Sequence, residues 1–265
     1  MQILVGADPE IFLQENGKFI SAHDKLPGTK WEPHIVSNGA IQVDGMAAEF
    51  NIDPAASEEE FLTNLQVVQD QLRVMLPGID FIHAASVGFG EEFIKHIPSE
   101  NLTLGCEPDF DAYTGGINPK PMATSLMRTA GGHVHIGAEE LSSKNPYESY
   151  HFSSMCKLMQ IMDEKVGVFS ILWDRDDDRR KMYGKAGAFR PKSYGAEYRS
   201  LSNAWIFHRE RQKFVYEGVQ EAVKTLLSGE WIPDVRIPNI INNSLRDDPF
   251  FKGNQRAEYV MDVLA

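Results

Sequence analysis

The run AGGHVHIG, residues 130–137, constrains the fold more than any other stretch of the chain. Side chains along an extended strand alternate between faces, so Gly131, His133 and His135 share one face while Gly132, Val134 and Ile136 take the other. The second face is apolar enough for a core. The first carries two imidazoles beside a glycine that leaves room for a close approach. Three other segments repeat the spacing. GADPEIFL sets Asp8 and Glu10 two apart, GCEPDFDAY sets Glu107 and Asp109 two apart with Asp111 beyond, and GAEYRSLSN sets Glu197 and Arg199 two apart. Glu49 lies among Met46, Ala47, Ala48 and Phe50, where an unpaired carboxylate would be costly. Any one of these pairs is compatible with a solvated strand face, and H-x-H alone fits two half-buried histidines equally well. Several acids and paired histidines within apolar strands converge only where a cation neutralises them. Carboxylates with an imidazole suit magnesium or manganese better than zinc.

The rest of the chain supplies the scaffold. Asn16-Gly17 between residues 3–14 and 18–22 predicts a hairpin. Residues 41–52 read as one strand ended by Asp53-Pro54. Ser57 and Glu60 form a capping box ahead of Phe61, Leu65, Val68, Leu72 and Met75 at helical spacing. Residues 79–89, 102–113 and 196–201 read as strands. A long helix is expected from Pro146, with Met155, Leu158, Met159, Met162 and Val166 as a core stripe, and another over 212–227 closed by Gly229. Strands dominate the first half and helices the second, without βαβ alternation. That pattern predicts an α+β fold on an antiparallel sheet, in one domain spanning 1–265.

Bulk properties narrow the partners. A net charge of −12 argues against a general nucleic-acid or anionic-membrane binder. The apolar run 166–173 is far too short for a membrane span. The first residues turn acidic at once, unlike a signal peptide, so a cytoplasmic protein is expected. Cys106 and Cys156 have neither zinc-knuckle nor disulfide-framework spacing. DRDDDRRKMYGK resembles a calcium loop only at its first acids, since Arg179 replaces the turn glycine and Lys185 the terminal glutamate. No P-loop or dinucleotide fingerprint is present. Arg179 and Arg180, within that charged run, read as solvated.

The order of these elements resembles a family. An acid-x-acid strand, the D-x(4)-E-F of residues 44–50, the G-x-H-x-H strand and a late E-x-R strand are similar to the glutamine synthetase / glutamate–cysteine ligase superfamily. More narrowly, GADPEIFL, GCEPDFDAYTGG, RTAGGHVHIG and YGKAGAFRPKSYGAEYRSLSNAW resemble the carboxylate–amine ligases (amidoligases) of tailed phages, over about residues 5–210. The resemblance implies a curved antiparallel sheet flanked by helices, with ATP bridged to it by magnesium or manganese. One cation would take Glu10, Glu49 and Glu107; another would take Asp8, His133 and Glu197. Asp8 stands where the better-known synthetases have glutamate.

His135 would then face nucleotide or substrate, with Arg128 and Lys185 as further nucleotide-binding candidates. Arg199, beside Glu197, is the first candidate for neutralising the transferred phosphoryl group, and Arg190, on a glycine-punctuated loop expected to close over the phosphates, is the second. The implied chemistry is ATP-dependent amide formation between a small-molecule or peptide carboxylate and an amine through an acyl phosphate, in a protein that could be oligomeric. The alternatives are a metal-dependent phosphohydrolase and a non-catalytic phage protein with a degenerate site.

Overall fold

A computed structural model describes residues 1–98, 109–119 and 126–265. Twelve strands are defined among them: β1 (Leu4–Glu15), β2 (Lys18–Ile20), β3 (His34–Val36), β4 (Gly39–Asp44), β5 (Ala47–Ile52), β6 (Asp80–Ile82), β7 (Ser86–Gly88), β8 (Phe110–Asp111), β9 (Met127–Thr129), β10 (Gly132–Gly137), β11 (Ala188–Lys192) and β12 (Gly195–Tyr198). The main sheet runs β3-β4-β5-β1-β10-β12-β11-β8, with β2 and β6 joined to the far half of β1; β7 and β9 form a second, two-stranded sheet. Every strand pair is antiparallel. The fold is α+β, as the element pattern predicts.

The first hairpin forms where expected, with Asn16 and Gly17 at φ 52° and 74°. Residues 41–52 do not make one strand. The chain reverses between β4 and β5, where Gly45 takes φ 57° after Asp44, a turn only glycine adopts without strain. Residues 79–89 likewise divide between β6 and β7, in different sheets. Of the strand expected over 102–113, only β8 falls within the described residues. The glycine-punctuated loop expected over 183–195 instead contains β11, paired with β12 on one side and β8 on the other.

Helix Glu58–Met75 starts as the capping box predicts: the Ser57 hydroxyl accepts from the Glu60 N–H at 3.2 Å. The long helix begins at Ser149, capped by the Glu148 carboxylate, and continues through a π turn, Asp163–Gly167, to Trp173. Helix Arg209–Ser228 stops at Gly229 in the left-handed region, φ 72°. These helices bury Phe61, Leu65, Met155, Met159 and Val219 against one sheet face, supplied by Val5, Ile11, Phe50, Val134, Ile136 and Tyr198. No helix among the described residues is long and apolar enough to cross a membrane. At one end of the opposite face, a smaller cluster of Phe12, Met46 and Ala47 packs with Val87, Phe89 and Ala130. The remainder of that face carries the polar residues.

Candidate functional site

Strand register gathers the spaced residues. Asp8 lies opposite His133, His135 opposite Glu197, and Glu197 opposite Arg190. On the other side of β1, Glu10 lies opposite Glu49, and Glu49 opposite Gln42. Opposed residues of antiparallel strands point to the same face. The intervening Ala7, Val134, Ala196, Phe189, Ala48 and Ile41 are all buried on the helix side. The alternation read from the sequence therefore holds across six strands.

Asp8, His133 and Glu197 converge: one ligand atom from each lies within 4.8 Å of the others. Asp8 Oδ1 is 3.3 Å from His133 Nδ1 and 3.2 Å from His135 Nε2, yet it is buried with no well-formed hydrogen bond. Burial alone would raise the Asp8 carboxyl; the charges of His135 and His133 outweigh it and hold the group well below the ordinary carboxylate range. Glu197, 1% exposed, is likewise pulled down against its burial, chiefly by Arg199. An orphaned carboxylate oxygen beside an imidazole and a second carboxylate fits a hard divalent cation.

Glu10 and Glu49 behave oppositely. Burial raises both, and the Asp44 charge adds to each. Glu10 Oε2 accepts from the Gly131 N–H at 2.7 Å, and Glu49 Oε2 accepts from the Gln42 amide at 2.7 Å. These bonds leave the crowding of like charges unrelieved, which a cation would relieve. Glu107, expected in the same shell, lies outside the described residues.

A positive wall stands beside the acids. Arg199 donates to the Glu197 carboxylate, reaches the His133 ring at 3.3 Å and lies 3.5 Å from Asp109. Lys192 is 2.8 Å from Glu197, and Arg190 is 3.5 Å from it. Arg190 thus projects from a strand fixed on both sides rather than from a loop, since β11 is the central strand between β12 and β8. Acids and bases together line a cavity of about 330 Å³, whose walls also include Arg128, Arg179 and Tyr183.

His135 is turned away from the cavity wall, with Nε2 on Asp8 and Nδ1 on the Tyr194 hydroxyl. Lys185 does not line the cavity; its carbonyl accepts from the Ser200 hydroxyl at 2.7 Å. Gly131 leaves space for the His133 ring itself, because a Cβ there would lie 2.3 Å from His133 Nε2. Arg179 and Arg180 are not solvated but 2% and 4% exposed. The charged run that suggested solvent supplies partners for Arg180, the Asp174 and Asp177 carboxylates, while Arg179 is held by the Ser200 and Arg199 carbonyls. Sequence reasoning also missed Gln42, Asp44, Lys192, Tyr183 and Tyr194. Gln42-x-Asp44 carries the same two-residue spacing and ends at the Asp44-Gly45 turn, and Arg190-x-Lys192 repeats it, so Gln42, Asp44 and Lys192 were readable; Tyr183 and Tyr194 carry no local pattern.

No family model matches the chain. No curated protein matches it either. Among solved structures, one described as a novel glutamine synthase homolog is similar over 100% of this chain and 68% of its own, at 11% identity and a TM-score of 0.41. A likeness that low bears no weight on function, so the residues and their geometry have to carry the reading.

Proposed function

We propose that the protein is an ATP-dependent carboxylate–amine ligase of the amidoligase type, making an amide through an acyl phosphate. The observation that carries this reading is the convergence of Asp8, His133 and Glu197 within 4.8 Å on a sheet face that also presents Glu10, Glu49 and several arginines. A phosphohydrolase would need such a metal set too, but the sequence blocks around these residues resemble ligases.

Asp8, His133 and Glu197 would hold one magnesium or manganese, and Glu10 and Glu49, with Glu107, a second; the ions would offset phosphate charge and orient it for transfer. The chain's own residues do the rest. Glu10 is oriented by the Gly131 N–H and Glu49 by Gln42, so neither carboxylate must be ordered when ligand arrives. His135 stands 3.2 Å from Asp8 and supplies charge beside it, and Tyr194 meets the other ring nitrogen. Arg199 and Arg190 stand at Glu197 with forked donors for phosphoryl oxygens, the place where charge builds during transfer. Arg128 lines the same wall as a further nucleotide-side cation, and Lys185 sits on the segment leading into β11. The substrate carboxylate attacks the γ-phosphorus and ADP departs; the amine nitrogen then attacks the acyl carbon, phosphate departs, and the amine gives up a proton.

The test is ADP and amide formation with magnesium-ATP against panels of amino-acid and peptide carboxylates and amines. A ligase makes ADP only when a carboxylate and an amine are both present. ADP that accumulates with neither identifies a phosphohydrolase, and no turnover with any pair leaves a binding protein.

A further inference from the structure

Arg180 and Arg179 are neighbours in sequence, equally buried, and partnered in opposite ways. Arg180 lies 3.1 Å from the Asp174 carboxylate and 3.0 Å from that of Asp177. Among the described residues Arg179 makes no ion pair with a carboxylate; the charges of Glu10 and Asp174 act on it from beyond that distance. Its Nη1 donates to the Ser200 carbonyl at 3.0 Å and its Nη2 to the Arg199 carbonyl at 3.1 Å, while Nε is buried without a partner. A guanidinium so enclosed without a direct ion-pair partner is expensive, and folded chains avoid it unless something else supplies the charge. Burial does pull Arg179 down, to about 10, so it stays charged at neutral pH.

The surroundings are shaped to hold this group. Gly184, at φ 71°, leaves the space it occupies: a Cβ there would lie 2.1 Å from Arg179 Nη1 and 2.9 Å from the Ser200 carbonyl. Two carbonyls fix the plane of the fork, and Arg179 lines the cavity together with Arg128, Thr129 and Tyr183. Glu10 lines the same cavity and draws on Arg179 only from beyond ion-pair distance, whereas Arg199, Arg190 and Lys192 all lie directly against Glu197. We propose that Arg179 is the anchor of an oxyanion subsite, whose remaining N–H donors take a carboxylate or a phosphate inside the cavity. The claim rests on the ligase reading only for the source of the anion, which would be the acid substrate or the phosphoryl group. The missing ion pair is independent of that reading.

The test uses the full chain in EDTA, with inorganic phosphate and acetate as probes, read by calorimetry and by melting temperature. The wild type is expected to bind one of them saturably and to melt higher with it, phosphate pointing to the nucleotide as source and acetate to the acid substrate. Arg179→Gln should weaken that anion about tenfold or more and gain no melting shift from it. Arg179→Lys, which keeps charge and loses the fork, should fall between. Wild type that binds neither anion overturns the proposal, as does Arg179→Gln that binds unchanged. Loss of folding in both variants would assign the guanidinium to strand architecture and overturn it too. A protein that makes no ADP yet loses anion binding on Arg179→Gln would sink the ligase reading and leave the subsite standing.

Discussion

Glu10 and Glu49 face each other across β1 and β5, and burial raises both carboxyls, Glu49 well above its ordinary value of 4.5. A folded state that binds protons more tightly than the unfolded chain loses stability as pH rises through and above the unfolded value. Without metal the protein should therefore weaken as pH climbs past about 4.5. Magnesium should restore what is lost. Glu49→Gln should flatten the pH dependence and shrink the magnesium-induced rise in melting temperature. Melting curves with magnesium and with EDTA check this; a variant that keeps the full rise makes Glu49 structural.

His133 and His135 share a face but have different work. His133 belongs to the converging triad, whereas His135 is spent on Asp8 and Tyr194. His133→Ala should raise the magnesium needed for half-maximal ATP binding by more than a hundredfold, and His135→Ala by about tenfold, as expected of a group that orients a ligand. Tyr194→Phe should track His135→Ala at lower amplitude. Equal, negligible effects would reduce both histidines to packing.

Arg199 touches Glu197, His133 and Asp109 at once, a geometry that a planar fork can meet and a single ammonium cannot. Arg199→Lys should preserve folding and lower turnover by roughly a hundredfold with little change in magnesium demand. A lysine variant with wild-type turnover would remove Arg199 from the chemistry.

Beneath the sheet, the Tyr198 hydroxyl donates to Asp163 at 2.5 Å and that of Tyr113 at 3.0 Å. Burial pushes the Asp163 carboxyl up to about 7 from an ordinary 3.8. Its stabilising contribution is complete below the unfolded value and is lost as the buried group ionises between about 4 and 7. Wild type should thus lose roughly 2–4 kcal/mol relative to Asp163→Asn between pH 4 and pH 8. Chemical denaturation at the two pH values measures it; a constant gap would show the aspartate to be ionised throughout.

Much of the site was legible because strand alternation is a two-residue rule. Once residues 132–137 read as a strand, His133 and His135 had to share a face, and the same rule placed Asp8 with Glu10 and Glu197 with Arg199. Which acid would meet which histidine was harder, since register joins residues far apart in the chain, Asp8 to His133 and His135 to Glu197; the family resemblance supplied the grouping of Asp8, His133 and Glu197. The hairpin at Asp44-Gly45 was written locally and overlooked within an apolar run. Strand β11 was masked by Pro191 and by the glycines that flank it, Gly184, Gly187 and Gly195, which read as a loop. Arg179 was misread because composition describes the run it sits in, not the two backbone carbonyls from elsewhere in the chain that fold over it.

The account depends on ATP reaching this sheet through divalent cations, and calorimetric titration of ATP into the full chain with magnesium and with EDTA tests that directly. Saturable binding in magnesium that disappears in EDTA is the predicted result. Equal affinity in both would contradict the metal-bridged site and the assignment of Asp8, His133 and Glu197 with it.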